Sequence, residues 1–350
     1  MLDTLGAQIE KLIIHRVGNK VRDEKFTKSE VLALVPADAN QIVLTYFLSP
    51  FVGKDETFHF THPTEITLNE IFTYATRIFA ENESFVRESG NILNHLYEQS
   101  THPKITEGDL FVAYFSGIKY NQRKIDVIGI FKAEKKEPFI KTTLKKGGIQ
   151  LIAESGINAK GLEKGCLILN IDKKEGFIVL NIDTSGYDTQ YWMDNFLKVT
   201  NVQSNNYHTK TYLQLCKDFG SQYIQPNFDK KENIIFLNKS FEYFKNSEVF
   251  DFNEFTETVI PEKSVAKEFK RFQSNYQKEY GIDELNDFEI SKVAVKSMKR
   301  RFKNFIALDT NIELRLNFKD PETDSRFVER GYDNQKKMHY YKVYFNKEIN

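Results

Sequence analysis

The chain has 350 residues, 40% of them hydrophobic and 28% charged, a balance that excludes a mostly disordered chain, a collagen and a small disulfide-stapled scaffold. Lys plus Arg equals Asp plus Glu at 49 each, so any nucleic-acid function must come from local charge and not from a field of the whole molecule. Phe, Tyr and Trp make up 14% of the chain, and the 30 Phe residues imply a largely aromatic core.

Absences narrow the class. Cys166 and Cys216 form no CxxC pair and no short metal-ligand spacing, which suits a reducing compartment. The opening stretch MLDTLGAQIEKLIIHRVGNK carries acidic residues and no long apolar run, unlike a secretory signal. Runs such as IIFL and LIL are far too short to span a membrane. A cytoplasmic protein is expected.

In chain order, residues 8–17 read as a strand or a short helix, and Pro36 interrupts a mixed segment at 29–48. Thr67 and Glu70 have capping-box spacing, and apolar residues recur at helical spacing from Ile71 to about Tyr97, with a break at Glu81–Ser84. Leu110–Tyr120 and Ile125–Lys132 predict a β-hairpin, Phe139–Ala153 further strands around Gly147-Gly148, and Leu167–Ile171 with Phe177–Ile182 another pair. Ser185 and Asp188 have capping-box spacing for a helix with Trp192, Phe196 and Val199 on one face. Asn201–Asn206 is polar and unpatterned, and is read as a domain boundary. Helices follow at roughly 207–220, 232–246, 251–258, 263–280 and 289–303. Strands at 304–309, 312–318, 325–331 and 338–346 close the chain, with turns at Asp309–Asn311 and Lys319–Asp324. The expected fold is α+β: residues 1–200 form an antiparallel sheet with packed helices, and residues 201–350 form a helical domain ending in a small antiparallel sheet, a β-meander.

Several chemical motifs are incomplete. Gly156-x-x-x-x-Gly161 has phosphate-loop glycine spacing, but Leu162 and Glu163 stand where Lys and Ser/Thr are required. Asp183-Thr184-Ser185-Gly186 resembles an aspartic-protease loop, yet Ser185 occupies the place of the glycine and no second copy exists. His59-x-x-His62 with Glu65 is the tightest histidine group, in extended chain before Pro63. Asp126 with Glu134-Lys135-Lys136 resembles a metal-dependent nuclease arrangement, amid Lys132, Lys141, Lys145 and Lys146. No cofactor is implied.

The leading site is Ser291–Lys303, SKVAVKSMKRRFK, with six positive charges and no negative one. On a helix, Lys292, Lys296, Lys299, Arg300 and Lys303 form one basic stripe, and Val295, Met298 and Phe302 form a face that buries. Such a face suits phosphate contact. The alternative is a solvated face whose charges pair with Glu284, Asp287 and Glu289 upstream. The lysine-rich run at 132–146 is a second basic patch.

Four stretches, IEKLIIHRVGNK, GDLFVAYF, LNIDTSGYDTQYWMDNFLKV and IALDTNIELRLNF, resemble the bacterial nucleoid-associated protein family in order and spacing. The resemblance spans nearly the full chain and rests on apolar and aromatic positions, none of them a catalytic signature. It implies a cytoplasmic, nucleoid location and the class of the protein, and it carries no residue roles. The leading expectation is a non-enzymatic protein contacting DNA weakly and without sequence preference, or a nucleoid protein partner. A metal-dependent nuclease and a protein–protein interaction module without direct DNA binding are the alternatives.

Overall fold

Leu110–Phe115 is apolar at every position, and the structure buries both of its faces. The computed structural model describes residues 2–54, 56–184, 190–280, 282, 286–302, 305–316 and 325–348. The chain divides into two compact units, Met1–Val202 and Gln203–Asn350.

The first unit contains β1 (Leu2–Asp3), β2 (Gln8–Val17), α1 (Ala37–Leu48), β3 (Phe58–Phe60), α2 (Glu70–Ala80), α3 (Phe85–Gln99), β4 (Gly108–Tyr120), β5 (Arg123–Ala133), β6 (Glu137–Lys145), β7 (Gly148–Gly156), β8 (Lys164–Leu169), β9 (Ile178–Asp183) and β10 (Val199–Asn201). Eight strands form an antiparallel sheet in the order β1-β4-β5-β8-β9-β3-β10, with β2 also paired to β4. The β4–β5 turn sets Asn121 and Gln122 at φ 48° and 68°, the two left-handed positions of a tight hairpin turn.

Alternation along β4 explains its composition. Leu110, Val112 and Tyr114 face a core shared with Ile71, Phe72 and Ile78 of α2 and Phe85, Ile92, Leu93 and Leu96 of α3. Phe111, Ala113 and Phe115 face the other way, onto Leu44, Tyr46, Phe47 and Leu48 of α1. Antiparallel sheets often leave one face to water. Here both faces are covered, so the strand reads as continuous apolar sequence. The Phe47 and Phe131 rings stack at 4.2 Å and 6°. Gly129 is required beneath them, because a Cβ there would lie 2.4 Å from the Phe131 ring and 2.8 Å from Phe115.

Two local expectations are corrected. The cap of α2 is Asn69, not Thr67: Ile66–Leu68 forms a 3-10 turn, and Asn69 Oδ1 accepts from Phe72 N at 2.9 Å. Buried Asn69 also donates to the carbonyls of Thr61, Leu197 and Lys198, which a threonine hydroxyl could not reach together. Val199 does not continue the face of Trp192 and Phe196. Gln190–Leu197 is a π-helix, Lys198 turns left-handed at φ 53°, and Val199 pairs with Phe60 in the sheet. The Ser185–Asp188 capping box lies outside the described residues.

The second unit contains α4 (Asn205–Phe219), a single helical turn α5 (Gln225–Asn227), α6 (Lys230–Asn246), β11 (Val249–Asp251), α7 (Phe252–Val259), α8 (Lys263–Tyr280), β12 (Asp287–Glu289) and α9 (Lys292–Met298). The strands β13 (Phe305–Ala307), β14 (Glu313–Arg315), β15 (Val328–Asp333) and β16 (Met338–Val343) follow. Tyr212 is the hub of the aromatic core, with the rings of Phe244, Phe250, Phe255, Phe269 and Phe288 at 4.1–6.2 Å. The closing strands form two separate hairpins, β13–β14 and β15–β16, instead of one meander. The Lys319–Asp324 turn lies outside the described residues. The architecture is α+β.

Candidate nucleic-acid interface

The stretch expected to be one helix over 289–303 is three pieces. Glu289 belongs to β12, α9 runs from Lys292 to Met298, and Lys299–Arg301 is a 3-10 turn. Ser291 caps α9, its Oγ accepting from Ala294 N at 3.3 Å. Ala294, Val295 and Met298 are buried, and the Phe302 ring lies 5.4 Å from Phe241 of α6. The apolar face therefore anchors this segment against α6. The tighter 3-10 turn shifts Arg300 and Arg301 off the α-helical register. Lys303 lies outside the described residues.

Lys292, Lys296, Lys299 and Arg300 are exposed. Lys292 is already engaged: its Nζ donates to the carbonyls of Lys245 (3.1 Å) and Ser247 (2.5 Å) and lies 3.4 Å from Glu248. It satisfies orphan carbonyls at the C-terminus of α6, where a cation also suits the helix dipole. Among the described residues, no carboxylate pairs with Lys296, Lys299 or Arg300. Of the upstream acids expected as partners, Glu289 accepts from Asn205 at 3.1 Å and Glu284 lies outside the described residues.

Lys245, Lys292, Lys296 and Lys299 border a shallow cavity of about 270 Å³ floored by Phe241 and Val295. Its one acid, Glu242, pairs with Lys245 at 2.8 Å. Lys245 was not legible as a site residue, because only the packing of α6 on α9 brings it there.

The other motifs resolve differently. Lys132 does not belong to the surface patch: it is fully buried, bonded to Glu134 Oε1 (2.8 Å), Thr106 O (2.7 Å) and Tyr191 OH (3.3 Å). Lys136 pairs with Asp109 at 2.8 Å, and Lys141 approaches Glu154 at 3.9 Å. Asp126 and Glu134 lie eight positions apart along β5 and its end, roughly 25 Å at strand rise. Asp183 forms a buried pair with Lys164 at 3.1 Å. His62 Nδ1 accepts from the backbone of Thr64 and Glu65, while burial lowers the pKa of His59. Gly156 ends β7, and Gly161 lies in the loop beyond it. Among the described residues, no three His, Cys, Asp or Glu side chains group closely enough to hold a metal ion.

The model of the nucleoid-associated protein YejK family matches residues 13–337. The chain belongs to that family. The match runs through both units, so the YejK-family region includes the sheet, the aromatic helical core and the α6–α9 surface. Family membership makes this a nucleoid-associated protein, of the DNA-containing body in the bacterial cytoplasm. A search of curated proteins finds no match to the chain. Among the described residues of this YejK-family member, no helix is long and apolar enough to cross a membrane.

Proposed function

We propose that this nucleoid-associated protein is non-enzymatic and contacts DNA through Lys296, Lys299 and Arg300, with Lys292 and Lys303 extending the basic segment. The observation that carries the reading is that these three exposed cations have no carboxylate partner among the described residues, while α9 is anchored by Val295 and Met298. Phosphates can take the place of water at such groups without breaking an internal ion pair. Contacts of this kind carry no base information, so binding is sequence-tolerant. The wide spacing of Asp126 and Glu134, and the bond from Lys132 to Glu134, argue against a shared catalytic cation at that pair.

The test compares the duplex affinity of the wild type with that of K296E/K299E/R300E across salt. Three phosphate contacts give a slope of about −2.7 in log–log terms, or a loss of about fortyfold between ~50 and ~200 mM salt. The triple variant binds more weakly with a flatter slope, and circular dichroism reports an intact fold. Wild type that binds no duplex at ~50 mM salt refutes the reading and leaves a protein partner as the nucleoid attachment.

A further inference from the structure

The cavity between α6 and α9 joins two surfaces of different chemistry. Its rim is basic, with Lys245 from α6 and Lys292, Lys296 and Lys299 from α9 and the 3-10 turn after it. The acid on that rim, Glu242, is paired with Lys245 at 2.8 Å. Its floor is apolar. Val295 is buried, and Phe241 is half-buried, with its ring 5.4 Å from the Phe302 ring at 48°. Packing against Phe302 and the helical core restrains the Phe241 ring, while part of its surface lines the cavity. Phosphate contact by itself needs cations at an open surface and no aromatic floor between them.

We propose that this cavity takes one unpaired base of single-stranded DNA, stacked on Phe241, with the flanking phosphates on Lys296 and Lys299. The inference rests on the reading of those two lysines as phosphate contacts, and it names the form of DNA that they select. A nucleotide complements both surfaces at once: its base is a π-face for the floor, and its phosphate is an anion for the rim. Single strands are held in general by a basic groove combined with aromatic platforms. In a duplex the base faces are stacked inside, so only phosphates reach the lysines and the floor stays uncovered. The volume of about 270 Å³ and the one aromatic ring of the floor suit a single base, not a stacked run. Lys292 remains on the carbonyls of Lys245 and Ser247 and shapes the rim without meeting a phosphate. Every base has a π-face, so the site is sequence-tolerant. An acidic peptide with an aromatic side chain presents the same two features, and membership of a nucleoid-associated family favours DNA over it.

Fluorescence anisotropy on the full chain at ~50 mM salt tests it with three labelled probes. They are an oligo(dT) strand, an abasic strand of the same length and charge, and a duplex. Wild type is expected to bind oligo(dT) roughly five- to 150-fold more tightly than the abasic strand, the range that one stacked base supplies. Phe241→Leu keeps an apolar floor and removes the ring. It is expected to bring oligo(dT) down to the affinity of the abasic strand, with duplex binding and the circular dichroism spectrum unchanged. The comparison of the two strands on wild type decides the matter if Phe241→Leu misfolds. Equal binding of oligo(dT) and the abasic strand by wild type overturns the base site. In that case K296E/K299E/R300E still weakens the binding of all three probes if the phosphate reading holds, so the two failures are distinct. A preference for oligo(dT) that survives in a folded Phe241→Leu places the base elsewhere and also overturns the proposal. Wild type that binds none of the three probes overturns both readings and leaves the acidic peptide as the occupant.

Discussion

Lys132 and Lys164 stand directly opposite each other on β5 and β8, both side chains fully buried. Their ammonium groups lie 5.6 and 5.8 Å from the centroid of the Tyr191 ring, the electron-rich face of which attracts both. Each is neutralised by its own carboxylate, Lys132 by Glu134 at 2.8 Å and Lys164 by Asp183 at 3.1 Å. Two like charges are thus held in one row of a sheet core because two carboxylates are buried with them.

Removing one partner of such a pair costs more than removing both. Lys164→Met leaves the Asp183 carboxylate buried beside an apolar chain and is expected to destabilise the first unit by about 3–5 kcal/mol. The double variant K164M/D183L replaces the pair with apolar groups and recovers most of that loss. Urea unfolding of wild type and the two variants measures both; equal destabilisation by single and double variants would refute the coupling.

Burial lowers the pKa of His15 to about 4 from 6.5, with the charge of Lys28 adding to the effect. The neutral ring accepts from Ser29 N at 3.0 Å and meets Ser89 Oγ at 3.2 Å. The folded-state pKa lies below the unfolded one, so the unfolded chain binds the extra proton. Stability therefore falls as pH drops from 6.5 towards 4 and levels off below, by on the order of 3 kcal/mol. In His15→Gln the unfolding free energy is expected to vary less with pH across that window. His95, whose pKa burial also lowers, contributes a residual slope of the same sign.

The hydroxyl of Tyr212 is buried with no hydrogen-bond partner among the described residues, and burial raises its pKa well above 10.0. Tyr212→Phe keeps the ring contacts with Phe244 and Phe250 and removes an unsatisfied polar atom. The variant is expected to be as stable as wild type or up to about 1 kcal/mol more stable. Tyr212→Ala, by contrast, is expected to cost about 3–5 kcal/mol through lost packing. A thermal melt that ranks Tyr212→Phe well below wild type would reveal a partner for the hydroxyl.

Lys292 and Lys296 share a helix face but do different work. Lys292→Met uncaps the carbonyls of Lys245 and Ser247 and is expected to cost about 1 kcal/mol of stability, with little change in the salt slope of duplex binding. Lys296→Met is expected to leave stability within about 0.5 kcal/mol and to flatten the slope by about 0.9. Chemical denaturation and the salt titration of each variant separate the two; reversed effects would reassign the roles.

The local pattern alone determined a good part of this protein. Alternating and continuous apolar runs marked β4, β5, β8 and β9, the interruption at Glu81–Ser84 marked the split of α2 from α3, and SKVAVKSMKRRFK marked a basic segment with a burying face. These features depend on neighbours within a few residues, and one-dimensional periodicity carries them. What it cannot carry is which charges remain at the surface. Lys132 and Lys164 are ordinary lysines in sequence, and only the pairing of β5 with β8 and β9 buries them beside Glu134 and Asp183. Likewise the spacing of Thr67 and Glu70 points to Thr67 as the cap, and only the carbonyls of Thr61, Leu197 and Lys198 converging on the Asn69 amide fix the cap there instead. Lys292 and Lys296 look equivalent until the end of α6 arrives next to one of them. Burial, ion pairing and capping by distant carbonyls are set by contacts between segments tens of residues apart, so only the tertiary structure decided them.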